Sequence, residues 1–240
     1  PTLWMVGDSI MQSYAPGDKP VTGWGEVLHT LAHGDAVCQT AHRADCPFPQ
    51  EMRYELPGLV IDNCAMAGRS SKTFREEGRL DDIAAHIRPG DLLVVSFGHN
   101  DANHNKAERY VSADAFGESL RPFWDAARRH GAVCLFASPV AMREFDESGV
   151  CHPSFAAYRE AMRAFAAKVG APFIDLGAAT AAANTAFGAE RCKARYMWVG
   201  TKRDNAHQQN AGACRTAQAF VQQLLQDTTP ALDVLRANFK

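Results

Sequence analysis

The chain has 240 residues, enough for one domain with a substantial core. Its content of 46% hydrophobic and 22% charged residues is that of a globular protein, and a net charge of -2 with scattered Lys and Arg leaves no electrostatic footprint for nucleic acid or an anionic membrane. The apolar runs are strand-sized, which excludes a helical membrane span.

Strand-like and helix-like segments alternate along the chain. Leu3 to Val6 reads as a first strand ended by Gly7. Gly23 to Leu31 reads as a helix with Trp24, Val27, Leu28 and Leu31 on one face. Gln39 to Gly58, with Pro47, Pro49 and Pro57, reads as an irregular surface insertion. Leu59 to Ile61 is a second strand. Leu92 to Val95 is a third, apolar on both faces as a buried parallel strand should be. Ala113 to Arg129 reads as one helix and Val133 to Phe136 as the fourth strand. Ser154 to Val169 is the clearest helix, with Phe155, Tyr158, Met162, Phe165 and Val169 at spacings of three and four. Phe173–Ile174 is a short fifth strand, and Gln208 to Gln226 a last long helix. The alternation predicts a parallel sheet covered on both faces, in one domain spanning 1–240.

No charged leader with a long apolar stretch precedes the first strand, so a cytoplasmic location is expected, or a secreted one if a leader has been removed. The seven cysteines are odd in number and irregular in spacing, which indicates neither a zinc ribbon nor a regular disulfide framework. Cys64 and Cys134 are expected to be buried thiols. Cys38 and Cys46 are the one pair spaced to close a short loop.

Four short segments carry chemistry: Gly7-Asp8-Ser9, Ala67-Gly68-Arg69-Ser70, Gly98-His99-Asn100-Asp101 and Asp204-Asn205-Ala206-His207. A serine just past a strand and a glycine stands at the sheet edge, as a nucleophile or as a helix cap. His207 is the candidate base, and Asp204, three residues before it, can hold one ring nitrogen while the other faces Ser9. The backbone N–H groups of Gly68 and Ser9 and the side chain of Asn100 are candidate oxyanion donors. Without a Gly-x-Ser-x-Gly elbow, the common α/β-hydrolase arrangement is disfavoured. Three further residues are candidates for substrate binding. Arg69 suits a uronate carboxylate or a structural ion pair. Trp198 suits a sugar ring or the core. His99 is placed to support the site.

The four segments in this order resemble the ordered blocks of the SGNH (GDSL-type) hydrolase superfamily. Gly68-Arg69-Ser70-Ser71-Lys72-Thr73-Phe74, Gly78-Arg79-Leu80, Phe97-Gly98-His99-Asn100-Asp101, Ser138-Pro139-Val140 and Asp204-Asn205-x-His207 resemble the rhamnogalacturonan acetylesterase-like group, carbohydrate esterase family 12. The resemblance implies a three-layer α/β/α sandwich around a flavodoxin-like parallel five-stranded sheet. It implies Ser9 as nucleophile, Ser9, Gly68 and Asn100 as the oxyanion hole, and Asp204 and His207 as the rest of the triad, with no cofactor and no metal. The implied activity is removal of acetyl groups from plant cell-wall polysaccharides. The expected partner is an acetylated oligosaccharide or polysaccharide, with no nucleic acid and no membrane, and the protein a monomer or homodimer. Ala206 departs from the group's frequent Thr at that position.

Three other readings compete. A metallohydrolase built on His99, Asp101 and His104 would leave Ser9 and Gly68 without a role. A lipase or thioesterase would use the same residues with a long apolar groove. A carbohydrate-binding protein on a disabled scaffold would not need every catalytic position filled.

Overall fold

A computed structural model describes residues 1–240. The strands are β1 (Thr2–Gly7), β2 (Gln39–Ala41), β3 (Met52–Leu56), β4 (Leu59–Asn63), β5 (Leu92–Ser96), β6 (Val133–Ala137), β7 (Phe173–Ile174), β8 (Tyr196–Met197) and β9 (Asp204–Gln208). The first seven form one sheet of order β2-β3-β4-β1-β5-β6-β7. Strands β4, β1, β5, β6 and β7 run parallel. Strands β2 and β3 add an antiparallel edge. The last two strands pair separately. Because β1 lies between β4 and β5, its carboxyl end is the point where the winding order reverses, the usual ligand position in such sheets.

The helices are α1 (Trp24–Val27), α2 (Ser71–Glu76), α3 (Arg79–His86), α4 (Ala113–Ser119), α5 (Arg121–Arg129), α6 (Ala156–Val169), α7 (Leu176–Phe187), α8 (Asn210–Gln226) and α9 (Asp233–Arg236). Alternate strand residues feed two cores, as a period of two requires. Leu3, Met5, Leu92, Val94 and Leu135 face a core shared with Trp24 of α1 and Ala213, Ala217 and Phe220 of α8. Trp4, Val6, Leu93, Val95 and Phe136 face a second core with Phe116, Phe123, Met162 and Phe165 from α4, α5 and α6. The result is the expected α/β/α layering. No helix is long and apolar enough to cross a membrane.

Several elements differ from the sequence expectation. The sheet has seven strands because the segment read as irregular holds two: β3, where Met52, Tyr54 and Leu56 alternate with Arg53 and Glu55, and β2, which pairs with it at the sheet edge. The 113–129 helix is two helices, interrupted where Pro122 lacks an N–H and would crowd the carbonyl one turn back. Gly23 to Leu31 is a four-residue α-turn continuing as a 3-10 turn. The last long helix begins at Asn210, because Asp204–Gln208 is a strand. Cys38 and Cys46 are both free thiols, as are the other five cysteines, and Cys64 and Cys134 are buried as expected.

Candidate active site

Ser9 stands just past the end of β1. The chain turns there at once: Met11 and Gln12 donate to the Asp8 carbonyl at 3.1 Å, and Ile10 N–H donates to Asp8 Oδ1 at 2.9 Å. The Tyr14 hydroxyl donates to the Ser9 carbonyl at 2.8 Å and holds the turn from outside. Ser9 is largely buried, with its Oγ directed at His207.

Ser9 Oγ lies 2.9 Å from His207 Nε2, and His207 Nδ1 lies 2.8 Å from Asp204 Oδ2. Asp204 and His207 sit three residues apart on β9 rather than on a helical turn. They reach the same side because Asp204 Oδ1 accepts the N–H groups of both Ala206 and His207, at 2.9 and 3.0 Å, folding the strand back on its own carboxylate. Partial burial pushes the Asp204 carboxyl up. Those two N–H groups and the imidazole more than offset this, so it lies below its ordinary value and stays ionised. Ala206 leaves this geometry intact.

Two other strand ends complete the site. Past β4, the N–H of Ala67 donates to Gln12 Oε1 at 2.6 Å, tying the Gly68 loop to the serine turn. Gly68 has φ +78°, a left-handed conformation natural to glycine. Past β5, Asn100 Nδ2 donates to the Arg69 carbonyl at 3.1 Å, and its Oδ1 accepts from Arg109 Nη1 at 2.8 Å. Nδ2 carries a second hydrogen beyond this bond, and the amide also favours the charged form of Asp8. The Asn100 loop is anchored by Asp101, whose carboxylate accepts from Ser71 N, Ser71 Oγ and Gly98 N at 2.9, 2.6 and 3.1 Å. Burial dominates Asp101 and pushes it up to about 7 despite these bonds. Burial also pushes Asp8 up to about 6 against the pull of Ile10 N–H, His207 and the Asn100 amide.

A hydroxyl, an imidazole and a carboxylate in line, beside several free N–H groups, can attack an acyl carbon and hold the resulting oxyanion. Residues 5–212 match the GDSL-like Lipase/Acylhydrolase family. The chain belongs to this family. It is therefore a carboxylic ester hydrolase. A rhamnogalacturonan acetylesterase of Bacillus subtilis (strain 168) is 31% identical, over 97% of this chain and 93% of that one. A rhamnogalacturonan acetylesterase of Emericella nidulans is 25% identical, over 98% and 89%. The crystal structure of protein YxiM from Bacillus subtilis superposes with a TM-score of 0.76 at 25% identity, covering 96% of this chain and 57% of that longer chain. An acetylxylan esterase from Geobacillus stearothermophilus shares the fold, with a TM-score of 0.59 at 18% identity over 92% of this chain and 93% of that one.

Within this GDSL-type hydrolase the three candidate substrate-binding residues have other partners. Arg69 Nε bonds both oxygens of Glu77 at 2.9 and 3.0 Å and its Nη1 bonds the Ala67 carbonyl at 2.9 Å, so the guanidinium braces its own loop. His99 Nε2 bonds the Val140 carbonyl at 3.0 Å, and burial pushes its pKa down to about 4, so it is a neutral strut between strand ends. Trp198 is half-buried and donates to Asn205 Oδ1 at 2.8 Å, with Arg143, Lys193 and Arg203 about its ring in place of open space for stacking. No group of three or more His, Cys, Asp or Glu side chains is arranged to hold an ion. The sequence did not disclose Arg109, which touches Asn100 from a polar loop without any motif of its own.

Proposed function

We propose that this hydrolase is a serine esterase removing O-acetyl groups from plant cell-wall oligo- or polysaccharides of the pectin, rhamnogalacturonan type. The observation that carries the reading is the unbroken chain from Ser9 Oγ through His207 to Asp204, in a protein 31% identical to a rhamnogalacturonan acetylesterase over 97% of its length. His207 takes the Ser9 proton as Oγ attacks the acetyl carbon. The tetrahedral oxyanion is held by Ser9 N–H, Gly68 N–H and Asn100 Nδ2. Collapse breaks the bond to the sugar oxygen, which receives the proton from His207, leaving Ser9 acetylated. Water, deprotonated by His207, then releases acetate and restores Ser9. Asp204 holds the imidazole tautomer throughout.

An open cavity of about 420 Å³ lies beside the serine turn, lined by Gln12, Ser13, Tyr14, Asp18, His42 and Gln50 together with Ala15, Pro16, Pro49 and Met52. The test is acetate release from acetylated rhamnogalacturonan, xylan and chitin oligosaccharides, with 4-nitrophenyl acetate and octanoate as controls and Ser9→Ala as blank. Ser9-dependent release highest from rhamnogalacturonan is expected. Activity confined to the octanoate ester would move the protein to the lipase and thioesterase side.

A further inference from the structure

The triad is bordered by an unusual concentration of positive charge. Around the single indole of Trp198 stand Arg143 at 4.6 Å, Lys193 at 4.9 Å and Arg203 at 5.1 Å from the ring centroid. No two of these cations are therefore more than about 10 Å apart, which is one Debye length at moderate salt. Lys202 joins them, with Nζ 3.8 Å from Asp204 Oδ2. The ring's π face attracts each cation, but that does not remove their mutual repulsion.

Few anions answer this charge. Lys193 pairs with the exposed Glu190 at 2.6 Å. Arg203 bonds only the Gly200 and Lys202 carbonyls, both at 2.7 Å, and Arg143 bonds the Ala189 carbonyl at 2.8 and 3.2 Å. The cluster is rigidly joined to the site: Trp198 Nε1 bonds the Asn205 side chain, and Arg143 N–H donates to the Asn205 carbonyl at 2.7 Å. Asn205 lies between Asp204 and His207 on β9. The exposed members, Lys202 and Arg203, open this charge to solvent at the lip of the site.

We propose that this Trp198-centred basic rim is a subsite for the carboxylates of an acidic oligosaccharide whose acetyl ester occupies Ser9. The assignment rests on the esterase reading above and replaces Arg69, whose charge Glu77 takes up. Guanidinium and ammonium groups side by side suit carboxylates spaced along a uronate chain. Neutral acetylated sugars gain nothing from the rim, so it selects among esters that the triad alone treats alike.

The test is calorimetric titration of the Ser9→Ala protein, which cannot turn over, with unacetylated oligogalacturonate and with a neutral xylo-oligosaccharide of equal length. Oligogalacturonate is expected to bind more tightly. Its Kd is expected to weaken roughly tenfold in Lys193→Gln/Arg203→Gln and to weaken similarly as salt is raised, the combined worth of two exposed ion pairs. Xylo-oligosaccharide binding is expected to follow neither change. Oligogalacturonate binding no better than the neutral chain, or indifferent to both charge and salt, would overturn the subsite. This readout involves no ester chemistry, so it fails or succeeds apart from the acetate-release test.

Discussion

Arg109 Nη1 donates to Asn100 Oδ1 at 2.8 Å, and its guanidinium stands 3.5 Å from where a side chain on Gly68 would begin. One cation thus abuts both loops that carry the proposed oxyanion donors. It holds the amide with Oδ1 toward the guanidinium and Nδ2 toward the Arg69 carbonyl, and it adds positive charge beside the proposed oxyanion position. Arg109→Met is expected to lower kcat about ten- to hundredfold with little change in KM, since the loss falls on the transition state. Arg109→Lys should recover part of it. In an Asn100→Ala background the same change should cost much less, because the residues act as a unit. Equal losses in both backgrounds would show that Arg109 does not act through Asn100.

Asp204 makes two kinds of contact, and one substitution separates them. Asp204→Asn keeps an oxygen for the N–H groups of Ala206 and His207 but turns an amide NH₂ toward His207 Nδ1. That forces the ring proton onto Nε2, the atom that must accept from Ser9. A kcat loss of about ten-thousandfold on 4-nitrophenyl acetate is expected. Wild-type turnover in a folded Asp204→Asn would remove Asp204 from the relay.

The parts legible in the sequence were those whose signal is local. The double-faced apolar run Leu92–Val95 and the stripe Tyr158, Met162, Phe165 could be read from periodicity, and the four site segments from their residue types. The Met52–Leu56 alternation was present but masked by the prolines on either side of it. Helix α7, capped by Asp175 and rich in alanine, lacks the large apolar stripe that marks its neighbours. The partners of Arg69, His99 and Trp198 were not legible, because Glu77, the Val140 carbonyl and the cations about the indole are fixed by loop geometry. Arg109 lies nine residues from Asn100, a spacing without meaning until the loop folds.

Asp8 offers a pH test of the buried site. Its carboxyl rises from 3.8 to about 6, chiefly through burial, and its Oδ2 has no protein partner. In the window between those values the folded protein binds more protons than the unfolded chain. The associated stability is full below about pH 4 and is lost as pH rises through about 6, on the order of 3 kcal/mol. His99 works with the opposite sign in the same window, its pKa being lowered from 6.5 to about 4, and Asp101, raised to about 7, with the same sign, so the wild-type curve alone does not isolate Asp8. Asp8→Asn removes one slope and leaves the others. The Tm of Asp8→Asn minus that of wild type is expected to increase steadily from about pH 4 to pH 7. A difference independent of pH would show that Asp8 is not held protonated by burial.

Gly68 is set at φ +78°, and a Cβ there would meet Arg109 only at ordinary contact distance, so the obstacle to a side chain is backbone strain and not overlap. Gly68→Ala is expected to cost about 1–2 kcal/mol of stability. Rotation of its N–H away from the proposed oxyanion position would relieve that strain, so kcat should fall about a hundredfold. Gly78 provides the matched control: it has φ +76°, caps α3 and has open space where a side chain would begin. Gly78→Ala should lower Tm by a similar amount while kcat stays near wild type. Similar kcat losses in the two variants would mean that strain, and not the Gly68 N–H, limits turnover. A fully active Gly68→Ala would remove that N–H from the oxyanion hole and leave Ser9 N–H and Asn100 as its donors.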